Sequence, residues 1–272
     1  MKLQFTNGYR PHFDQISRIQ NYLLSADEDK RIPRSDIVNS LGIPNKQVEN
    51  LTSMMTGFGL VLPRITKLTQ FGKSVSRSDS YFERLETLWI IHFTVSSNPE
   101  WVVWQRIINS VMPSQDQFEV DQISKKYFDD LSIHFSARSI EKKLPKEVGA
   151  VLAAYTRSEL SRLEILSEKE TGKYQKTTPV DVPPLAFLYC ILLFRERFSP
   201  GSSALSVQNL CYAENSPGRV CFLDEFQVRR LLESLHDAGQ IRLEQFANLD
   251  QVRLANELTL DTVLERIYGG IE

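Results

Sequence analysis

The chain is poor in the residues that build recognisable metal or covalent chemistry. Its three cysteines, Cys190, Cys211 and Cys221, are an odd number with no CxxC pair, so they suggest neither a disulfide framework nor a zinc site. Four histidines, His12, His92, His134 and His236, stand far apart in sequence and suggest no local metal cluster. No GxxxxGK, GxGxxG or HExxH occurs, which leaves no sign of a phosphate-cradling loop, a dinucleotide site or a zinc protease. Long apolar runs are missing too. The longest, near Ala186 to Phe194, is too short to span a bilayer, and MKLQFTNGYRPHF lacks the apolar centre of a secretory leader. A cytoplasmic protein with no membrane partner is expected. Nor is there a charge of one sign: 32 Lys and Arg against 34 Asp and Glu leave a net −2, which gives no global attraction to nucleic acid.

What is present is an ordinary globular composition, 42% hydrophobic and 24% charged, over 272 residues, enough for two or three compact units. The charge is unevenly spread. Residues 1–77 hold 11 Lys and Arg against 6 Asp and Glu, a balance of +5. Residues 78–179 hold 13 against 15, and residues 180–272 hold 8 against 13, giving −2 and −5. Positive potential therefore gathers at the first third of the chain, where a phosphate-facing surface would need it.

That third contains the most informative stretch, Arg34 to Gly72. Ile37, Val38 and Leu41 share one helical face, with Ser35 as a plausible N-cap. Gly42 supplies a turn and Pro44 opens a second helix expected from Asn45 to Thr56. Val48, Leu51 and Met55 are expected to face inward, and Asn45, Lys46, Gln47, Glu49, Asn50 and Ser53 outward. Gly57 and Gly59 stop this helix. Leu60–Leu62 and Ile65–Leu68 then read as a β-wing turning at Pro63-Arg64. Amide side chains at a helix start can pair with base edges, and Arg64 and Lys67 on a wing can grip phosphate. The DNA-binding candidates are thus Asn45, Lys46, Gln47, Asn50, Ser53, Arg64 and Lys67. A winged helix used only for protein docking would also carry such polar faces.

The flanking segments read mainly as helix. His12–Ala26 is expected to pack through Phe13, Ile16 and Ile19, and Asp27–Arg31 to form a surface loop. Thr69–Arg77, Tyr81–Ser96 and the tryptophan-rich Glu100–Val111 follow, the large aromatics reading as core rather than as a base-stacking platform. Within the second of these, His92 lies on an apolar face, as a satisfied core histidine would. Pro113–Gln122 is expected to be a linker, Ile123–Leu131 a helix, Pro145–Ser167 a helix, and Glu168–Thr178 a mobile connector breaking near Gly172. The last 90 residues suggest a second winged-helix unit. Its helices are expected at Leu185–Arg197, Leu205–Ala213 and Phe226–Ala238, the last capped by Asp224. A hairpin of Gln240–Gln245 and Gln251–Ala255 around Ala247–Asp250 and a closing helix, Leu258–Tyr268, complete it. Arg229 and Arg230 occupy the recognition-helix position there, but the acidic balance favours protein contact or packing. The expected fold is mainly α with short β-wings. Its units would be an N-terminal winged helix-turn-helix (1–77), a central helical region (78–178) and a C-terminal winged-helix-like module (179–272).

For nuclease chemistry, Asp130 followed by Glu141-x-Lys143 has the residue types of a Mg²⁺ site, though LSIHFSARSI between them lacks a strand–turn–strand pattern. Glu83, Glu86, Glu100, Asp224 and Glu225 are further carboxylates whose convergence periodicity leaves open.

Two stretches carry a family resemblance: LTQFGKSV with ETLWIIHFTVSSNPEWVVW (Leu68 to Trp104), and SPGRVCFLDEF (Ser216 to Phe226). Together they resemble a bacterial family encoded near DNA phosphorothioate-modification and phage-defence genes. The chain is similar to the B component, a DNA nickase, of the Ssp single-strand phosphorothioation system. The likeness covers most of the chain, strongest over Leu41–Trp104 and Pro183–Leu254. Many members open with a Gly-His-Glu-Thr-Phe-like segment where this chain reads Asn7-Gly8-Tyr9-Arg10-Pro11-His12-Phe13, without the glutamate. The resemblance implies a double-stranded-DNA-binding protein that works with a cysteine desulfurase, an ATP-pyrophosphatase-type sulfurtransferase and an ATPase. It also implies nicking of one strand with Mg²⁺ or Mn²⁺. A non-catalytic recognition and scaffold subunit, or a winged-helix transcription regulator, are the alternatives that the residues leave open.

Overall fold

The computed structural model describes residues 1–26, 32–63, 66–246 and 249–269. The expected loop Asp27–Arg31 and the hairpin residues Arg64, Ile65, Ala247 and Asn248 lie outside them. Helix α1 (Phe13–Ser25) buries Phe13, Ile16, Ile19 and Leu23. Helix α2 (Arg34–Leu41) starts from Pro33 with no side-chain cap, so Ser35 is not its N-cap; its hydroxyl donates to Asp36 instead. Gly42 ends α2 at φ 65°, a left-handed conformation that a side chain would strain. Helix α3 runs Asn45–Gly57 and buries Val48, Leu51, Met54 and Met55. Leu60–Pro63 and Thr66–Thr69 then meet through one antiparallel bridge, Val61 to Leu68, flanked by Leu62 N–H to the Lys67 carbonyl (2.9 Å) and Thr69 N–H to the Leu60 carbonyl (3.0 Å).

Helix α4 (Gln70–Ser78) is capped by the Thr69 hydroxyl, and α5 (Leu85–Ser96) is buried along its whole length from Thr87. Helix α6 (Val102–Arg106) continues through a π-helical turn, Ile107–Val111, into a last short piece, α7 (Met112–Ser114). The three tryptophans are core: Trp89, Trp101 and Trp104 are all buried. The aromatics Phe5, Phe58, Trp101 and Trp104 pack with ring centroids 4.6 to 5.9 Å apart.

The middle of the chain departs most from expectation. The predicted linker contains a strand, β1 (Gln117–Glu119), followed by α8 (Val120–Ser132). Helix α9 begins at Ala137, not Pro145, and carries that proline inside it as far as Arg157. The predicted helix to Ser167 gives way to a 3₁₀ turn (Glu159–Leu163) and a strand, β2 (Leu166–Glu170). The predicted connector is a hairpin of β2 and β3 (Lys173–Lys176), completed by β1 in the order β1-β3-β2. Polar composition hid this sheet, but Phe118, Leu166 and Tyr174 are its buried face.

Helix α10 (Pro184–Phe198) precedes β4 (Ala204–Ser206), α11 (Val207–Tyr212), α12 (Pro217–Val220) and α13 (Glu225–Asp237). Asp224 caps α13 through a full capping box with Gln227. Strands β5 (Arg242–Phe246) and β6 (Leu249–Arg253) pair with β4 in the order β4-β6-β5, and α14 (Leu260–Tyr268) closes the described chain. The architecture is mainly helical with two small antiparallel sheets. One apolar cluster runs from Leu3 to Tyr268; through it α10 packs on α5 and α14 on α4.

Candidate nucleic-acid interface

Helix α3 enters solvent at its N-terminus. Asn45 and Lys46 are exposed, and the helix begins at Pro44 with no side-chain cap. The other predicted contacts are less free. The Gln47 amide is half-buried and donates to Gln15 on α1. Ser53 is half-buried, its hydroxyl 3.4 Å from the Phe5 carbonyl. Asn50, expected to face outward, is only 5% exposed. Its carbonyl oxygen accepts from the Asn7 amide at 2.6 Å, because the N-terminal segment lies across this side of α3. Lys67 is half-buried on the returning arm of the hairpin, and Arg64 lies outside the described residues.

Between α3 and the hairpin lies an open groove of about 1200 Å³. Thr52, Ser53, Thr56, Leu62, Arg34 and Glu49 are among its lining, and Lys2, Glu100 and Trp101 close the opposite wall. Lys2 sits over the Trp101 ring (4.4 Å to its centre) and pairs with Glu100 at 2.8 Å. Glu49 pairs with Lys46 at 2.9 Å and lies 3.9 Å from Arg34. The hydrogen bond from Lys46 holds the Glu49 carboxyl below its ordinary range. The groove thus combines hydroxyls, both charge signs and the exposed flank of α3.

The N-terminal segment that lies on α3 is pinned by a residue that sequence reading missed. Glu147, on α9, is 1% exposed. One carboxylate oxygen accepts from the Phe5 and Thr6 amides at 2.7 and 2.6 Å, and the other from the Thr6 hydroxyl at 3.0 Å. Burial pushes its pKa up against those bonds. The pinned segment then reaches α3 twice, through Phe5 and Asn7. A β-carbon on Gly57 would lie 2.2 Å from the Phe5 ring, so only glycine admits this packing. The available signal was position: Glu147 falls on the apolar stripe of Leu144, Val151 and Tyr155, where a carboxylate needs donors.

The motif Ser216–Phe226 is also structural in its arginine. Pro113 has no N–H to offer the Asn109 carbonyl four residues earlier. Arg219 fills that place, donating from Nε and Nη2 at 2.9 and 2.7 Å. Asn109 accepts from Asn215 N–H (2.8 Å) and donates to the Ser96 carbonyl (2.9 Å), tying α12 to the π-turn and α5. His92 is the satisfied core histidine expected. Its Nε2 donates to the Val220 carbonyl (2.8 Å), Nδ1 accepts from the Tyr155 hydroxyl (2.6 Å), and burial lowers its pKa to about 4.

On α13, Arg229 is held between Asp250 (2.6 Å) and Glu225 (2.8 Å), which raise its pKa, while Arg230 is exposed. The carboxylates suggested for metal chemistry are scattered. Asp130 pairs with Arg106 at 3.3 Å, while Glu141 is exposed on α9, with two helices and a turn where strand–turn–strand was needed. Glu86 is 3.8 Å from Arg84, Glu100 is paired with Lys2, Glu225 accepts from Tyr212 at 2.7 Å, and Asp224 caps α13. Among the described residues, no three His, Cys, Asp or Glu side chains form a group able to hold a metal. No described helix is long and apolar enough to cross a membrane.

These features define a mainly helical protein with a helix–turn–helix–hairpin unit at one end and a helix–sheet unit at the other. The chain belongs to the family described as "Protein of unknown function (DUF4007)", whose model matches residues 23–268. No curated protein matches it. Two solved structures of SspB, one of them magnesium ion-bound, share its fold with TM-scores of 0.77 and 0.76. Each is 15% identical, and each alignment covers 97% of this chain and 87% of the other. The family resemblance read from the two motifs is thus met in the fold.

Proposed function

We propose that the protein is the DNA-binding component of a bacterial phosphorothioate-modification and anti-phage defence system. In this reading it acts in the cytoplasm and recruits sulfur-transfer enzymes to duplex DNA. The observation that carries the DNA contact is the solvent-facing start of α3 in the most basic third of the chain, where Asn45 and Lys46 are exposed and Lys46 pairs with Glu49 on the groove wall. Recognition helices present their first residues to base edges, with a neighbouring hairpin on phosphate. Lys67 and Arg64 take that second role. Ser53 and Gln47 reach DNA once the weak or peripheral bonds they make are exchanged, whereas buried Asn50 serves as a support. The likeness to SspB and the two sequence motifs support the phosphorothioation setting. The acidic C-terminal module suits the partners: a cysteine desulfurase, an ATP-pyrophosphatase-type sulfurtransferase and an ATPase. Its one candidate phosphate-gripping helix has Arg229 already neutralised.

The test is fluorescence anisotropy with labelled duplexes over a salt series. Lys46→Ala and Arg64→Ala are each expected to weaken binding and to flatten the salt dependence by about one ion equivalent. Full affinity and slope in both variants overturn the placement of DNA on this face. A second reading, metal-dependent nicking, is favoured by one observation, the magnesium ion in one of the similar structures. Supercoiled plasmid decides it: open circles that require Mg²⁺ or Mn²⁺ and track the protein through purification support nicking. Plasmid that stays supercoiled leaves recognition alone.

A further inference from the structure

The cations that a DNA backbone would meet at α3 are already engaged by carboxylates. Lys46, exposed on the first turn, places its ammonium 2.9 Å from Glu49, and Arg34 on α2 lies 3.9 Å from the same oxygen. Across the groove, Lys2 is closed off by Glu100 at 2.8 Å. The Lys46–Glu49 pair is not part of the core. It joins residues three apart on one exposed helical turn, where ion pairs contribute little stability. Its geometric effect is nonetheless specific: one carboxylate lies between two cations at the point where a phosphate would bridge them.

We propose that Glu49 acts as a built-in stand-in for phosphate that suppresses non-specific DNA binding. The inference rests on the DNA reading given above. A phosphate arriving at Lys46 and Arg34 must displace Glu49 and is repelled by it until it does. Electrostatic contact alone, which supplies non-specific affinity, is therefore weak on this face. A site that also offers base-edge partners to Asn45 and its neighbours supplies the extra free energy for the exchange. Glu49 thereby widens the gap between specific and non-specific duplexes, by an unfavourable contact rather than an added favourable one.

The test uses the full-length protein and duplexes of unrelated sequence, with anisotropy measured from low to moderate salt. Glu49→Gln keeps the shape and an acceptor oxygen but removes the charge. It is expected to bind unrelated duplexes about two- to fivefold more tightly at low salt, with a salt slope steeper by about one to two ion equivalents. Lys46→Ala is expected to cost more in the Glu49→Gln background than in the wild type, because there the ammonium meets phosphate without first giving up a carboxylate. Equal affinity, slope and Lys46 effect, in a wild type that does bind duplex, overturn the inference and leave the DNA reading standing. A loss confined to duplexes with cytosine at one position assigns Glu49 to a base edge and also overturns it. No duplex binding by either protein at any salt overturns the DNA reading itself, and this inference with it.

Discussion

Glu147→Ala removes the carboxylate that accepts from the Phe5 and Thr6 amides. Both N–H groups bond to the same oxygen, at 2.7 and 2.6 Å, in a place that is closed to solvent. An unsatisfied buried donor costs about 1–3 kcal/mol, so the two together set a loss of about 2–6 kcal/mol, held to the lower end if the segment undocks and is hydrated. Glu147→Gln behaves differently. A glutamine oxygen in that position keeps both amides, and its NH₂ faces the Thr6 hydroxyl, which can turn to accept. The loss of charge is offset by the lower cost of burying a neutral group, so glutamine is expected within about 1 kcal/mol of the wild type. The linkage has a definite sign. Burial raises the Glu147 pKa above its ordinary value of 4.5, so the folded state keeps a proton that the unfolded state has released. Glu147 therefore costs stability as pH rises above 4.5 through its folded pKa, and Glu147→Gln is expected to lack that decline. Urea unfolding followed by tryptophan fluorescence suits the assay, because the Phe5 ring lies 4.6 Å from Trp101. Hydrogen exchange at Phe5 and Thr6 separates undocking from global loss. Alanine and glutamine variants of equal stability, with wild-type protection of those two amides, would refute the reasoning.

Other consequences are independent of this one. Arg219→Ala takes both guanidinium donors from the Asn109 carbonyl and is expected to lower stability by about 2 kcal/mol in urea unfolding; Arg219→Lys, lacking the planar fork, recovers only part of that. His92 is held neutral, with its pKa lowered to about 4 from 6.5, so the unfolded state takes up its proton first as pH falls. Its contribution is intact above 6.5 and declines by about 3 kcal/mol as pH drops towards 4, a slope that a pH series should find reduced in His92→Gln. Asn50→Ala loses the 2.6 Å bond to Asn7 and is expected to cost about 1 kcal/mol of stability while leaving base preference unchanged; altered preference at full stability would return Asn50 to the DNA face.

The helical frame was legible because apolar spacing survives burial. Val48, Leu51 and Met55 define the inner face of α3, and Asp224 marks the start of α13 in both sequence and structure, where Gln227 completes its capping box. The same reasoning failed at Asn50, because periodicity treats a polar residue as outward unless a partner is known. That partner, Asn7, comes from a segment 43 residues away. Pro145 was read as a helix start, yet it is accommodated inside α9, whose apolar stripe runs from Ile140 to Tyr155. Strands β1, β2 and β3 were missed since each is five residues or fewer, too short to show alternation. At the candidate site, exposure of Asn45 and Lys46 followed from position on the helix. The groove, the Glu49 pairing with Arg34 and the Glu147 clamp did not, because each joins side chains from separate elements.

The central claim is that DNA meets the chain along the start of α3 and the neighbouring hairpin. Hydrogen exchange by mass spectrometry, with and without saturating duplex DNA, tests it most directly. The account predicts added protection within residues 45–57 and 60–68, and none within 225–253. Protection confined to the C-terminal module, with α3 unchanged, would contradict it.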